Sequence, residues 1–235
     1  AINKAARHSG SYTQHLRGVE SLKGARFGTF KEAFGDESDP DCAQVNKVVR
    51  AALEAMKAAG AEVVELSLPD MQQMIGGTSL YLSRSRFDVD TFLKSRPALP
   101  YSSLKDIYAT GLCHKNLDLI KLLATVAPDK PEDDPEYLAK LALGTEFQRR
   151  LVGFMAEHDL DGICYPALRI LTPTHEDMHE KGKWTALTFP TNTVIASQSL
   201  LPSICVPAGF SDASIPVGME IIGPPHHEPD LIRLG

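Results

Sequence analysis

Residues 201–223 read "LPSICVPAGFSDASIPVGMEIIG", and this stretch decides the fold. It contains two apolar runs, residues 203–210 and 216–223, joined by a short connection. Apolar runs of this length, bounded by Gly, Pro, Ser and Asp, predict two strands. Gly209 and Gly218 stand where strands bend or where another backbone approaches closely. The imperfect alternation of "VGMEIIG" predicts a strand covered on both faces.

A β-α-β pattern lies near the start of the chain. Residues 22–30 and 61–69 read as two strands. The segment between them predicts a helix, with Asp39 as its N-cap, Pro40 in the first turn and Gly60 after its end. This order favours a parallel or mixed sheet flanked by helices, which is an α/β fold.

The remaining segments add one strand and several helices. Residues 161–168, "DGICYPAL", predict a buried strand, and residues 228–234 predict a final helix. The middle, residues 70–126, reads as short helices and loops, and Gly76-Gly77 within it predicts a turn. A longer helix is expected after the proline-rich connection at residues 127–136.

Composition excludes several classes of protein. The chain has 235 residues, a formal net charge of −6 and a pI of about 5.8. This acidic balance gives no support for nucleic-acid or membrane binding. Cys42, Cys113, Cys164 and Cys205 form no C-x-x-C pair, and no stretch approaches the ~20 apolar residues of a membrane helix. We therefore expect a cytoplasmic protein.

Residues 175–179 fit H-E-x-x-H, the spacing that holds zinc in many metalloproteases. On a helix, His175 and His179 would share a face while Glu176 activates a metal-bound water. A third ligand is available from His226, His227 or Glu228. The surrounding residues, Pro173 before and "EKGK" after, argue for a solvated loop or short helix instead. A zinc hydrolase is kept as one alternative.

Ser102-Ser103-Leu104-Lys105 fits S-x-x-K, a serine–lysine pair of β-lactamases. The companion S-D-N and K-T-G elements are absent from the chain. Ser103 is better interpreted as the N-cap of a helix that begins at Leu104.

Four blocks of the sequence, in order and spacing, resemble the amidase signature family. The blocks are "LKGARFG" (residues 22–28), "DGICYP" (161–166), "LPSICVPAGF" (201–210) and "IPVGMEIIGPP" (215–225). Glu228, Leu231 and Ile232 match the helix that follows in that family. Residues 70–136 contain no motif that is diagnostic of this family. The resemblance implies that the chain has the C-terminal half of the amidase signature fold, which is a mixed sheet flanked by helices.

The resemblance also implies an activity and a missing centre. The family cleaves carboxylic amides to acid plus ammonia or amine with a serine nucleophile, a second serine and a lysine base. Its glycine- and serine-rich catalytic segment has no counterpart here, since no G-G-S-S-G-G-S run occurs. We expect residues 1–235 to be the C-terminal part of one amidase domain, truncated at both ends. The catalytic residues would lie upstream of residue 1.

By the same resemblance, this half forms one wall of the substrate pocket. The candidate substrate-binding residues are Trp184, Thr191, Asn192 and Ser197. No metal or other cofactor is expected, and the partners would be a small amide and an N-terminal half carrying the Ser-Ser-Lys triad, with homo-oligomerisation left open. The stretch "WTALTFPTNTVIASQSLLP" resembles stand-alone amidases better than the glutaminase subunits of tRNA amidotransferases. A non-catalytic, amidase-like binding or scaffold protein is the second alternative.

Overall fold

The structure, a computed structural model, describes residues 12–16 and 22–235. Its centre is a mixed five-stranded sheet with the order β2-β1-β3-β5-β4. The strands are β1 (Arg26–Phe30), β2 (Glu62–Leu66), β3 (Gly162–Pro166), β4 (Ser203–Phe210) and β5 (Pro216–Ile222). The expected α/β class is confirmed.

The β-α-β unit is formed as predicted. Strands β1 and β2 are parallel and are joined through helix α1 (Pro40–Ala58). The Asp39 carboxylate accepts hydrogen bonds from two backbone N–H groups of the first turn, and Pro40 occupies a position that needs no N–H donor. These local signals fix where α1 begins and so set its position against the sheet.

The other three strands complete the sheet. Strand β3 is parallel to β1, whereas β5 runs antiparallel to both β3 and β4. The register of β4 shifts between Pro207 and Gly209, and Gly209 takes a φ of 141°, which a side chain rarely adopts. The glycine in the family-like block therefore accommodates a bulge.

Helices cover both faces of the sheet. On one face, Phe27, Cys164 and Ile221 pack with the apolar stripe of α1 and with helix α8 (Glu228–Leu234). On the other, Phe30 is fully buried, and its ring meets that of Phe154 edge to face at 5.3 Å. Phe154 belongs to helix α6 (Tyr137–Glu157).

The described chain divides into two compact units. One comprises the described residues up to Ile75 together with Thr145–Thr172 and Pro190–Gly235, and it contains the sheet. The other, Gly76–Gly144 with Pro173–Phe189, is helical. Its helices include α3 (Tyr81–Lys94), α4 (Leu104–Ala109) and α5 (Asp118–Thr125), while α2 (Met71–Thr78) and α6 span the boundary between the units.

Two local predictions in the helical part have different outcomes. Ser103 caps α4 as expected, because its hydroxyl accepts a hydrogen bond from the Asp106 N–H at 3.1 Å. The predicted turn at Gly76-Gly77 is wrong, since both glycines lie within α2. A Cβ on Gly77 would lie 2.6 Å from a methyl group of Leu143, so close packing explains that glycine.

The helices that the structure describes are too short or too polar for a lipid bilayer. In the part of the chain that the structure describes, none combines the length and the hydropathy that a membrane crossing needs.

Candidate functional site

Two of the predicted site residues, Thr191 and Asn192, lie at the carboxyl edge of the parallel strands. Strands β1 and β3 run in the same direction, so Ala33, which follows β1, and Pro166, which ends β3, lie at one edge of the sheet. Ligands of open α/β sheets bind at this edge. Residues 190–193 are held there by a hydrogen bond from the Arg169 N–H to the Pro190 carbonyl at 3.0 Å.

Asn192 ties these segments together. Its side chain is buried, with 1% exposure. Its Nδ2 donates to the carbonyl oxygens of Ala33 and Pro166, both at 2.7 Å, and its backbone N–H donates to Ala167 at 3.0 Å. Both side-chain N–H donors are used by the protein, so Asn192 fixes the geometry of the edge.

Thr191 and Ser197 present hydroxyl groups on either side of the start of helix α7 (Val194–Ser199). Thr191 is half-buried, and its Oγ1 lies 2.8 Å from Oγ1 of Thr193. Ser197 is exposed, and its hydroxyl donates weakly to the Val194 carbonyl at 3.3 Å. Both hydroxyls retain hydrogen-bonding capacity for a ligand.

The end of α7 is fixed by a side chain from α6. Gln148 Nε2 donates to the carbonyl of Ser199 at 2.9 Å, and Leu200 takes the left-handed conformation that ends many helices. Because α7 is short, this cap and the Asn192 anchor hold both of its ends.

Trp184, the fourth predicted residue, belongs to the helical unit. Its segment is anchored by Asp118, whose carboxylate accepts hydrogen bonds from the Thr185 hydroxyl at 2.5 Å and from the Leu187 N–H at 3.2 Å. The hydrogen bond from Thr185 is the main cause that lowers the pKa of Asp118. The Trp184 Nε1 is buried and has no hydrogen-bond partner among the described residues.

Arg169 is a residue that the sequence analysis missed. It follows β3 and is half-buried, and among the described residues its buried Nε has no acceptor. Burial and the Asp39 carboxylate raise the pKa of the Cys42 thiol, and the charge of Arg169 opposes that rise. A sequence signal was available, because Arg169 lies within the apolar run that continues from β3, where a charged residue is uncommon.

The H-E-x-x-H stretch forms one π-helical turn, Glu176–Glu180, rather than a long helix. Glu176 pairs with Lys181 at 2.9 Å on the surface. The His179 side chain lies outside the described part of the structure. Among the side chains that are described, no group of three or more His, Cys, Asp or Glu residues is placed to hold a metal ion.

Two serine–lysine combinations occur in the helical unit, and neither has the arrangement of a nucleophile and its base. Lys105 contacts Asp129 at 3.4 Å, and Ser102 donates to Asp106 at 3.2 Å, so this pair is separated. Lys140 does reach Ser83 at 3.2 Å. However, Ser83 is 1% exposed, which leaves no access for a substrate.

The electrostatics of the second combination also argue against a base. Lys140 pairs with Asp134 at 2.9 Å. This hydrogen bond raises the pKa of Lys140, while the Ser83 hydroxyl and Lys140 lower the pKa of Asp134 to about 2. A lysine that acts as a base must lose its proton, but the neighbouring carboxylate of Asp134 stabilises the protonated form of Lys140. The network is structural.

A buried carboxyl group lies on the sheet beside a tyrosine. Glu220 on β5 pairs in register with Tyr165 on β3, and both are buried. Burial raises the pKa of Glu220, and the hydroxyl group of Ser203 partly opposes this rise. Glu220 Oε2 and the Tyr165 hydroxyl have no partner among the described residues, so the ionised carboxylate is poorly compensated.

Replacing Glu220 by glutamine is expected to stabilise the chain at high pH only. A carboxyl group whose pKa is raised by folding favours the folded state below its unfolded pKa, and this contribution is lost as the pH rises through the folded pKa. We expect Glu220→Gln to raise Tm by about 2–4 °C at pH 8, the shift that ~1 kcal/mol gives in a chain of this length, and to leave it unchanged at pH 4. Thermal unfolding, monitored by circular dichroism, measures Tm at pH 8 and at pH 4.

The control for this prediction is Glu65→Gln, an exposed glutamate on β2. We expect it to change Tm by less than about 2 °C at either pH, as surface substitutions do. An equal gain for Glu220→Gln at both pH values would contradict the explanation by burial.

A cavity of about 780 Å³ lies at the opposite, amino edge of the parallel strands. Its lining includes Arg26 at the start of β1, Glu62 at the start of β2 and Asp161 just before β3. Arg26 pairs with Glu62, and its backbone N–H donates to Asp161 at 2.8 Å, so these charges are already compensated within the protein. The candidate site stays at the carboxyl edge because Thr191 and Asn192 lie there and open α/β sheets bind ligands at that edge.

Comparison with known proteins agrees with this fold. The family model described as Amidase matches residues 4–232. A glutamyl-tRNA(Gln) amidotransferase subunit from Beijerinckia indica is 28% identical over 224 residues, which is 91% of this chain and 44% of that protein. Its counterpart from Halorhodospira halophila is 29% identical over 235 residues, covering 95% and 46%. The chain belongs to the amidase family.

Structures of known proteins show the same architecture. The peptide amidase of Stenotrophomonas maltophilia superposes with a TM-score of 0.67 at 22% identity, covering 96% of this chain and 44% of that one. An amidase family protein from Bacillus anthracis gives a TM-score of 0.67 at 18% identity, covering 99% and 41%. The chain thus spans less than half the length of the relatives that it matches.

Proposed function

We propose that this chain is the C-terminal part of a single amidase domain whose enzyme hydrolyses a carboxylic amide to an acid plus ammonia or an amine. The Ser-Ser-Lys triad would come from an N-terminal half, here called the partner segment, which belongs to the same polypeptide or to a separate chain. The observation that carries this proposal is the family match over residues 4–232, at 44% coverage of the relative from Beijerinckia indica.

The carboxyl edge of the sheet supplies one wall of the substrate pocket in this proposal. Thr191 and Ser197 would offer hydroxyl groups to the amide, since both have hydrogen-bonding capacity left. Asn192 would act as a positioning residue, because both Nδ2 donors are used by the backbone. Trp184 would offer apolar surface to an acyl group.

A covalent serine mechanism needs nucleophile, base and oxyanion donors held together. In the described residues, the two serine–lysine combinations are engaged with carboxylates instead. This supports the view that the reactive groups belong to the partner segment.

A fluorophosphonate serine probe tests the proposal. The 235-residue chain alone is expected to keep its mass of 25.6 kDa, whereas the protein with its partner segment should gain one probe adduct and release ammonia or amine from simple amides. Ser102→Ala is the control and should leave the adduct unchanged. A probe adduct on the chain alone, lost in Ser102→Ala, would show instead that this chain carries its own nucleophile.

A further inference from the structure

Arg169 differs from the other arginines that the structure describes, because its charge has no partner. Arg96 lies over the ring of Phe92 at 5.4 Å. Seven others pair with a carboxylate, and they are Arg26, Arg50, Arg84, Arg86, Arg149, Arg150 and Arg233. Arg169 forms neither kind of contact with a described residue. Charged groups that are withdrawn from water are normally paired, so this half-buried guanidinium group needs an explanation.

The guanidinium group of Arg169 is buried at one end and open at the other. Its Nε is buried without an acceptor among the described residues, and neither terminal nitrogen is buried in that way. Since the terminal nitrogens also form no hydrogen bond to a described residue, they are open to solvent. Two parallel N–H donors at the end of a guanidinium group match the two oxygen atoms of a carboxylate.

The backbone of Arg169 is held on two sides. Its N–H donates to the Pro190 carbonyl at 3.0 Å, and the preceding residue, Leu168, pairs with Thr191. On the other side, a Cβ on Gly35 would lie 3.0 Å from the Arg169 carbonyl oxygen, so the segment after β1 packs closely against it. Arg169 therefore lies beside Thr191 on a fixed backbone at the carboxyl edge, where open α/β sheets bind ligands.

The acidic side chains near Arg169 are engaged elsewhere. The charges of Arg169, Asp36 and Asp39 all act on the Cys42 thiol, so these groups are neighbours. The Asp36 carboxylate accepts a hydrogen bond from the Ser38 N–H at 2.9 Å, and that of Asp39 caps the first turn of α1. Neither carboxylate forms an ion pair with Arg169. These neighbours therefore do not neutralise its charge, and an anion from outside the described chain can do so.

We propose, on the basis of the proposed function, that Arg169 binds a carboxylate group of the substrate. The substrates are then amides that carry a free acid group, such as the monoamides of dicarboxylic acids. Arg169 is a specificity-determining residue, which holds the acid end of the substrate while the amide end extends to the serine of the partner segment. A small number of placed polar groups fixes a ligand's orientation in such pockets. Hydrolysis consumes one water molecule and releases ammonia and the dicarboxylic acid.

Two amides that differ in the acid group test this inference. Glutaramic acid and pentanamide have the same carbon chain and the same amide, but only glutaramic acid has a carboxylate. In the protein with its partner segment at neutral pH, we expect kcat/KM to be about tenfold or more higher for glutaramic acid, as a charge-assisted hydrogen bond predicts. Ammonia release measures both reactions.

Substitutions at Arg169 assign this preference to its guanidinium group. Arg169→Met removes the charge and keeps the length of the side chain, so the ratio of the two kcat/KM values should fall about tenfold or more. The change should lie in KM rather than kcat, because the contact is made equally in the ground state and the transition state. Arg169→Lys keeps the charge without the paired donors and should restore part of the ratio. Arg149→Met, at a side chain that is 75% exposed on α6, is the matched control and should leave the ratio unchanged.

A structural role for Arg169 predicts a different result. If a carboxylate of the partner segment paired with Arg169, Arg169→Met would lower Tm of the protein with its partner segment and would slow both amides alike. That outcome overturns the inference.

The remaining outcomes separate this inference from the proposed function. A preference for glutaramic acid that Arg169→Met abolishes supports the inference. Serine labelling without a preference for glutaramic acid, or with a preference that Arg169→Met leaves intact, overturns the inference and leaves the proposed function standing. Absence of both serine labelling and ammonia release overturns the proposed function, and the inference with it.

Discussion

Replacing Asn192 by alanine is expected to lower Tm of the chain by roughly 6–12 °C, which corresponds to about 3 kcal/mol at this length. The substitution removes both hydrogen bonds from Nδ2 and leaves the carbonyl groups of Ala33 and Pro166 without this donor in a buried place. An unsatisfied buried polar group costs about 1–3 kcal/mol, and the substitution removes a donor from two buried carbonyl groups. Thermal unfolding measures the change.

Two further variants sharpen this test. Asn192→Asp keeps the size of the side chain but loses the donors, so we expect at least the same loss of stability. Thr193→Ala changes an exposed neighbour and should shift Tm by less than about 2 °C. If Asn192→Ala unfolded at the same temperature as the unmodified chain, the amide would not be what holds the carboxyl edge together.

The second large effect is expected for Phe30→Ala. Phe30 is fully buried and packs edge to face on Phe154 at 5.3 Å. Removing a buried phenylalanine ring costs about 3–5 kcal/mol, which corresponds to a fall in Tm of roughly 6–20 °C. Differential scanning calorimetry measures it.

Phe210→Ala is the matched control, since Phe210 is 70% exposed on the same unit. We expect a change below about 2 °C for this variant in the chain alone. Equal losses at both positions would mean that β1 does not pack on α6 as described.

Local patterns were sufficient to predict most of the sheet. The strand at Ser203–Phe210 and the helix at Glu228–Leu234 have the predicted bounds, because apolar runs and their Pro and Gly boundaries are encoded nearby. The N-cap Asp39 was predicted for the same reason, since a cap depends on only a few consecutive residues.

Features that depend on distant residues could not be predicted in this way. Asn192 was chosen as a candidate, but its anchor on Ala33 joins positions 159 residues apart. Glu220 lies in an apolar run, and only the fold shows that it is buried beside Tyr165. The predicted turn at the glycine pair of α2 was wrong because the reason for a glycine at position 77 is its contact with Leu143, which is also distant in sequence.

The pairing of β1 with β3 has a consequence for biosynthesis. Arg26 and Asp161, which meet at the start of these strands, are 135 residues apart in the chain. At 5–20 residues per second, a ribosome needs roughly 7–27 s to make the intervening segment. During that time the edge of β1 that will pair with β3 stays unpaired, and contacts of such long range form slowly. The newly made sheet is therefore expected to depend on chaperones until translation has passed β3.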